Sequence, residues 1–159
     1  MRLFRLERRG LVVLGFLGVA GIAWAAAMHP SFAGTWSLDK QKSDFGRIPG
    51  GAPQLIDTVT QEPALLTIRR ERNGEAVTLR IPLDGSTGDV QIRGMQMAVQ
   101  THWEERTLVI NYSGSRGGNP VTSEEKWSLT PDGNAIVVKR HMSGMPGATD
   151  QSLYMVKQK

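Results

Sequence analysis

The chain has 159 residues, enough for one domain. It carries no cysteine, which excludes disulfides, thiol nucleophiles and thiolate metal sites. Its formal charge of +4 suggests a polyanion partner, but Arg2, Arg5, Arg8 and Arg9 against Glu7 hold most of that excess, and the near-neutral remainder lacks the basic footprint of a nucleic-acid binder.

Residues 1–10 are short and basic, and Leu11 to Ala27 is apolar throughout. With small residues at Ala23, Ala25 and Ala27, this pattern reads as a secretory signal peptide cleaved after Ala25 or Ala27. The rival reading is an uncleaved anchor, at the lower limit of membrane-spanning length, and it would be the only membrane contact expected. The expected location is periplasmic or secreted, and residues 28–159 form the expected mature domain.

The body shows period-two alternation and no sustained helical period. Strands are expected near 33–38, 55–61 and 64–72, then from Val77 to Leu83, Met97 to Trp103, Leu108 to Tyr112, Val121 to Leu129, Ile136 to Arg140 and near 149–157. Asn73-Gly74, Asp84-Gly85, Glu105-Arg106, Gly117 to Pro120, Asp132-Gly133 and Ser143 to Gly147 supply the turns. This rhythm predicts an all-β fold of about eight to ten strands, an antiparallel up-and-down meander closed into a barrel. The stretch from Lys40 to Pro53, rich in Gly, Pro and charge, predicts a long loop, more often a strap packed by Phe45 than a lid.

Gly34-Thr35-Trp36 at the start of this pattern resembles the G-x-W signature of lipocalins. The longer run through Leu38, Asp39, Lys42, Ser43, Phe45, Gly46 and Pro49 is similar to small exported bacterial proteins described as lipocalin-like, largely uncharacterised. The resemblance implies an up-and-down barrel in which Trp36 plugs the closed end beneath a basic side chain from the last strands. Arg140 is the counterpart it suggests.

The chemistry is sparse. No G-x-S-x-G elbow occurs, and the pairs Glu104-Glu105 and Glu124-Glu125 split across opposite strand faces. His29 falls in a tail after the leader, and His102 falls on a polar face. Met95, Met97, Met142 and Met145 have spacings that suit Cu(I), but methionine more commonly fills core gaps. No metal site, cofactor or catalytic group is assigned, and no enzyme is expected. Glu125 shares the inward phase of Trp127 and Leu129. It stands either at a wet rim, the commoner arrangement, or buried beside Arg70 or Arg140.

The expectation is a protein that binds a small hydrophobic or amphipathic molecule. Trp103, Tyr112 and Trp127 would line the site, with Thr101, Glu125 and Arg140 as polar contacts. The alternative is a structural or protein-interaction module of the envelope with a filled core.

Overall fold

A computed structural model describes residues 29–46, 52–144 and 150–159. The signal segment expected over residues 1–27 lies outside them. Ten strands follow one another: β1 (Gly34–Leu38), β2 (Leu55–Glu62), β3 (Leu65–Arg72), β4 (Glu75–Pro82), β5 (Gly88–Ile92), β6 (Met95–Glu104), β7 (Thr107–Arg116), β8 (Asn119–Leu129), β9 (Ala135–Ser143) and β10 (Gln151–Lys157). Consecutive strands pair antiparallel, except across one interruption. Pairing of β1 with β10 carries the sheet around, giving the order β4-β3-β2-β1-β10-β9-β8-β7-β6-β5. The result is the expected up-and-down barrel, nearly closed.

The interruption is a seam between β4 and β5, which are not paired to each other. Pro82 ends β4 on this edge, where its missing N–H takes no bond from a ladder. Thr101 Oγ1 donates to the Pro82 carbonyl oxygen at 2.6 Å, so β6 latches onto β4 across the gap. Gly88 lies so near the Pro82 ring that an added Cβ would meet its Cδ at 2.8 Å.

Strand β5 and its turn were not among the expected elements. Gly88–Ile92 is too short and polar to show a clear alternation. The turn that follows uses Arg93 at φ 52° and Gly94 at φ 75°, and an arginine in the left-handed region carries no turn signature.

One end of the barrel is sealed by aromatic rings. Trp36 is 1% exposed and its Nε1–H donates to the Phe32 carbonyl oxygen at 2.8 Å. The Phe32 ring meets Trp127 edge-on at 5.8 Å and stacks over Trp103 at 6.0 Å between centroids. His29, expected in a loose tail, instead stacks on Trp103 at 4.2 Å. The basic group over Trp36 is Lys157, with Nζ 5.4 Å from the ring centroid, and not Arg140. The spacing of the G-x-W run has a physical reason here. Gly34 sits at φ 142°, and an added Cβ would stand 3.3 Å from the Lys157 Cε. Glycine therefore leaves room for the lysine stem to cross the indole.

At the other end the described part of the long loop is a strap. Asp44 and Ser152 exchange backbone hydrogen bonds at 2.7 and 2.8 Å. The Ser43 hydroxyl donates to the Asp39 carbonyl and accepts from the Tyr154 N–H. Phe45 packs against the core beneath this tether.

Trp36→Ala is expected to lower stability by about 3–5 kcal/mol, because it empties the plugged end. Lys157→Ala should cost less than about 1 kcal/mol, the range of an exposed cation–π contact. Thermal denaturation of both variants checks the difference.

Candidate binding site

Register brings the interior charges together. Glu125 on β8 is directly opposite Arg140 on β9, and Arg140 is directly opposite Gln151 on β10. On the facing wall, Asp57 on β2 is directly opposite Arg70 on β3. Directly opposed side chains on one face of a sheet meet, so these pairs follow from the ladder itself.

Both pairs are closed by more than one contact. Arg70 donates from Nε and Nη2 to the two Asp57 oxygens at 2.9 and 2.7 Å. Arg140 reaches Glu125 Oε1 from Nε at 2.8 Å and Nη2 at 2.7 Å, and its Nη1 donates to Gln151 Oε1 at 3.2 Å. The other Glu125 oxygen accepts the Trp127 Nε1–H at 2.9 Å. Gln151 Nε2 donates to the Phe45 carbonyl oxygen at 3.1 Å, tying the network to the strap. Among the described residues, no buried side-chain nitrogen or oxygen lacks a partner.

Glu125 is therefore not at a wet rim. It is 4% exposed, with Arg140 as its partner. Burial pushes its carboxyl up. The Arg140 and Arg70 guanidiniums, with the Trp127 and Arg140 hydrogen bonds, outweigh burial and hold it below the usual carboxylate range. Burial likewise opposes the charge on Arg70, but the Asp57 carboxylate raises that guanidinium above its ordinary value. Tyr112 lies within the field of the same four charges. Its hydroxyl is pushed up by burial and then by the Glu125 charge, so it stays protonated.

A small cavity of about 50 Å³ opens beside this network, under the strap. Its polar wall is Arg70, Arg72, Arg140 and Gln151, and Leu38, Phe45, Pro53, Leu55 and Leu153 supply the apolar wall. A hollow of about 450 Å³ lies elsewhere, lined largely by outward side chains such as Gln100, Asn111, Thr122, Glu124 and His141. It is larger, but it lacks the buried anchoring groups of the interior cavity.

The structure joins Trp127, Glu125 and Arg140 through hydrogen bonds, while Tyr112 lies within the field of these charges and lines the larger hollow. It separates Thr101, which forms the seam latch, and Trp103, which belongs to the sealed end. Of the six, only Arg140 lines the interior cavity. Asp57 and Gln151 carry no motif of their own in the sequence, and the basic run Arg69 to Arg72 reads there as a solvated hairpin end rather than a binding patch, whereas Arg70 and Arg72 line the interior cavity. For Asp57 and Arg72 the usable signal was alternation phase. Asp57 falls in step with Leu55 and Val59, and Arg72 with Leu66, Ile68 and Arg70, so both point inward.

No known protein family matches the sequence, and no curated protein matches it. Solved structures do match. A protein described as the REP1-NXSQ fatty acid transporter superposes with a TM-score of 0.63 at 10% identity, covering 80% of this chain and 96% of that one. Zebrafish ileal bile acid-binding protein, complexed with cholic acid, gives 0.62 at 18% identity, with 80% and 98% covered. Caenorhabditis elegans lipid binding protein 8 gives 0.62 at 8% identity, with 80% and 95% covered. The likeness is one of fold. It places the chain among the barrels of the lipocalin and fatty-acid-binding type.

Arg140→Met leaves Glu125 buried without its ion-pair partner and should cost about 3–5 kcal/mol. Adding Glu125→Leu should recover most of that loss, because the orphaned charge is gone. Urea denaturation of single and double variants measures the coupling. A loss of the same size in both would show that the pair itself, not the orphan, sets the cost.

The acid side has a definite sign. A carboxyl held below its ordinary value gives stability that is complete above that value and is lost as pH falls through the lowered one. For Glu125 the ordinary value is 4.5. The melting temperature should therefore be level above about pH 5 and fall as the medium is acidified further. Asp84, Glu104 and Asp132 are also held low, by Ser86, Lys126 and Thr130 respectively. Glu125→Gln isolates the buried contribution: its melting temperature should drop less on acidification than that of the parent.

Proposed function

We propose that this chain is an exported carrier that binds a small amphipathic molecule in the barrel interior. The observation that carries the reading is the cavity under the strap, lined by three guanidiniums and an amide together with five apolar side chains. A barrel core needs no buried charge. Apolar replacements of similar volume are often as stable or more so, so stability alone does not call for these charges, and their place beside the cavity suits recognition. The apolar wall would supply affinity and the polar wall orientation. The structural neighbours named for fatty acids, bile acid and lipid support binding over turnover. Export rests on the basic and apolar leader, and on the resemblance of the Gly34–Pro49 run to exported lipocalin-like proteins.

One observation favours a second reading, a module with a filled core acting through its surface. A cavity of about 50 Å³ is far below the roughly 300–1,000 Å³ of sites that hold drug-sized ligands. On the carrier reading, the ligand is small, or its tail displaces Phe45 from beneath the strap.

Native mass spectrometry of protein exported by its own host decides between them. A discrete extra mass, lost on denaturation, is expected for the carrier, together with a chain beginning after Ala25 or Ala27. Protein that carries no ligand and takes up no added amphiphile would establish the filled module.

A further inference from the structure

The expected cleavage sites adjoin the plug of the sealed end. Two peptide steps separate Ala27 from His29, a reach of at most about 7 Å. His29 is already fixed to the barrel. Its ring stacks on Trp103 at 4.2 Å, and its Nδ1 lies 3.3 Å from the Glu105 carbonyl oxygen. The residues that follow are held harder. Gln61 clamps them with both ends of its amide: Nε2 donates to the Pro30 carbonyl oxygen at 3.3 Å, and Oε1 accepts the Phe32 N–H at 2.9 Å. Phe32 is fully buried, and its carbonyl oxygen takes the Trp36 indole N–H. The sealed end is thus closed by the residues that come directly after the leader.

A peptidase holds its substrate extended on both sides of the bond it cuts, and it reaches bonds in folded protein only through local opening. Here the step is hydrolysis. Water adds across the amide, leaving a carboxylate on the leader and a free amine on the mature chain. After Ala27, the first three residues beyond the bond are Met28, His29 and Pro30. They cannot extend into a cleft without lifting His29 off Trp103 and Pro30 from Gln61. After Ala25, three residues precede His29, and the body of the barrel still stands within about 14 Å of the bond.

We infer that leader removal is confined to the interval before the sealed end closes, so that the chain must meet its peptidase unfolded and folding ends the opportunity. The inference rests on the export reading and adds the order of its steps. It implies a transport route that threads the chain rather than one that passes a finished barrel. A chain that folds first keeps its apolar leader joined at the sealed end, opposite the strap.

Cell-free synthesis of the full chain tests this, with a leader peptidase in detergent micelles either present from the start or added after the barrel has folded. The mass of the chain reports cleavage. Early enzyme should release the leader. Late enzyme should act at least about tenfold more slowly, equivalent to an opening cost of about 1.4 kcal/mol. A flexible Gly-Ser spacer of about ten residues between Met28 and His29 adds roughly 17 Å of reach and should make the late rate equal the early one. Gln61→Ala, which frees Pro30 and Phe32 without emptying the core, should fall between. Late cleavage of the parent as fast as early cleavage, or a spacer variant cut no faster than the parent, would overturn the inference and leave the export reading standing. A chain cut under neither regime, with or without the spacer, would overturn the export reading and this inference together.

Discussion

A charge inside a barrel must find its opposite, and the structure is organised around that requirement. Glu125 and Arg140 face each other from neighbouring strands, and neither could stay where it is without the other. Trp127 binds the free oxygen of Glu125 from one side, while Gln151 links Arg140 to the strap on the other. The pair thus joins the ring-packed end of the barrel to the tethered end through continuous hydrogen bonds. A one-residue slip of β9 against β8 would send Arg140 to the outside and strand Glu125 in the core. The ion pair therefore fixes register as well as charge.

The two ends of the barrel are built by different physics. Around Phe32, Trp36 and Trp127 the packing is mostly apolar, with the Trp36 Nε1–H met by the Phe32 carbonyl, the Phe32 N–H by Gln61 and the Trp127 Nε1–H by Glu125. Around Arg72, Gln151 and Phe45 the same strands present guanidiniums to a small space. Both ends belong to single strands: β2 runs from Leu55 near the arginines to Gln61 near Phe32, and β10 from Gln151 to Lys157. Each strand is thereby graded from a polar, adaptable end to a rigid, apolar one.

Much of this architecture was legible in the residues. Alternation located nearly every strand, and Asn-Gly and Asp-Gly marked turns whose left-handed residues only such sequences supply easily. Strand β5 escaped because Asp89, Val90 and Gln91 carry too little alternation, and because Arg93 occupies a left-handed position that arginine seldom takes. The site was only partly legible. Inward phase can be read for Glu125, Asp57 and Arg72 from their own strands. Which charge meets which depends on cross-strand register, and no single strand contains that information. Trp103 shows the converse. Its phase is inward, but its height along β6 places it under His29 and Phe32, away from the charged cluster.

The seam between β4 and β5 has a mechanical consequence. Everywhere else around the wall, a change in girth would stretch or break a hydrogen-bonded ladder. At the seam it need only part the side-chain contact between Pro82 and Thr101 and the close approach at Gly88. The barrel thus has one compliant line in a stiff circumference, much as a split ring opens at its cut. Interior volume is not a fixed property of such a shell. It can rise at small enthalpic cost along β4 and β5, while the β8–β9–β10 wall that positions Glu125, Arg140 and Gln151 keeps its shape.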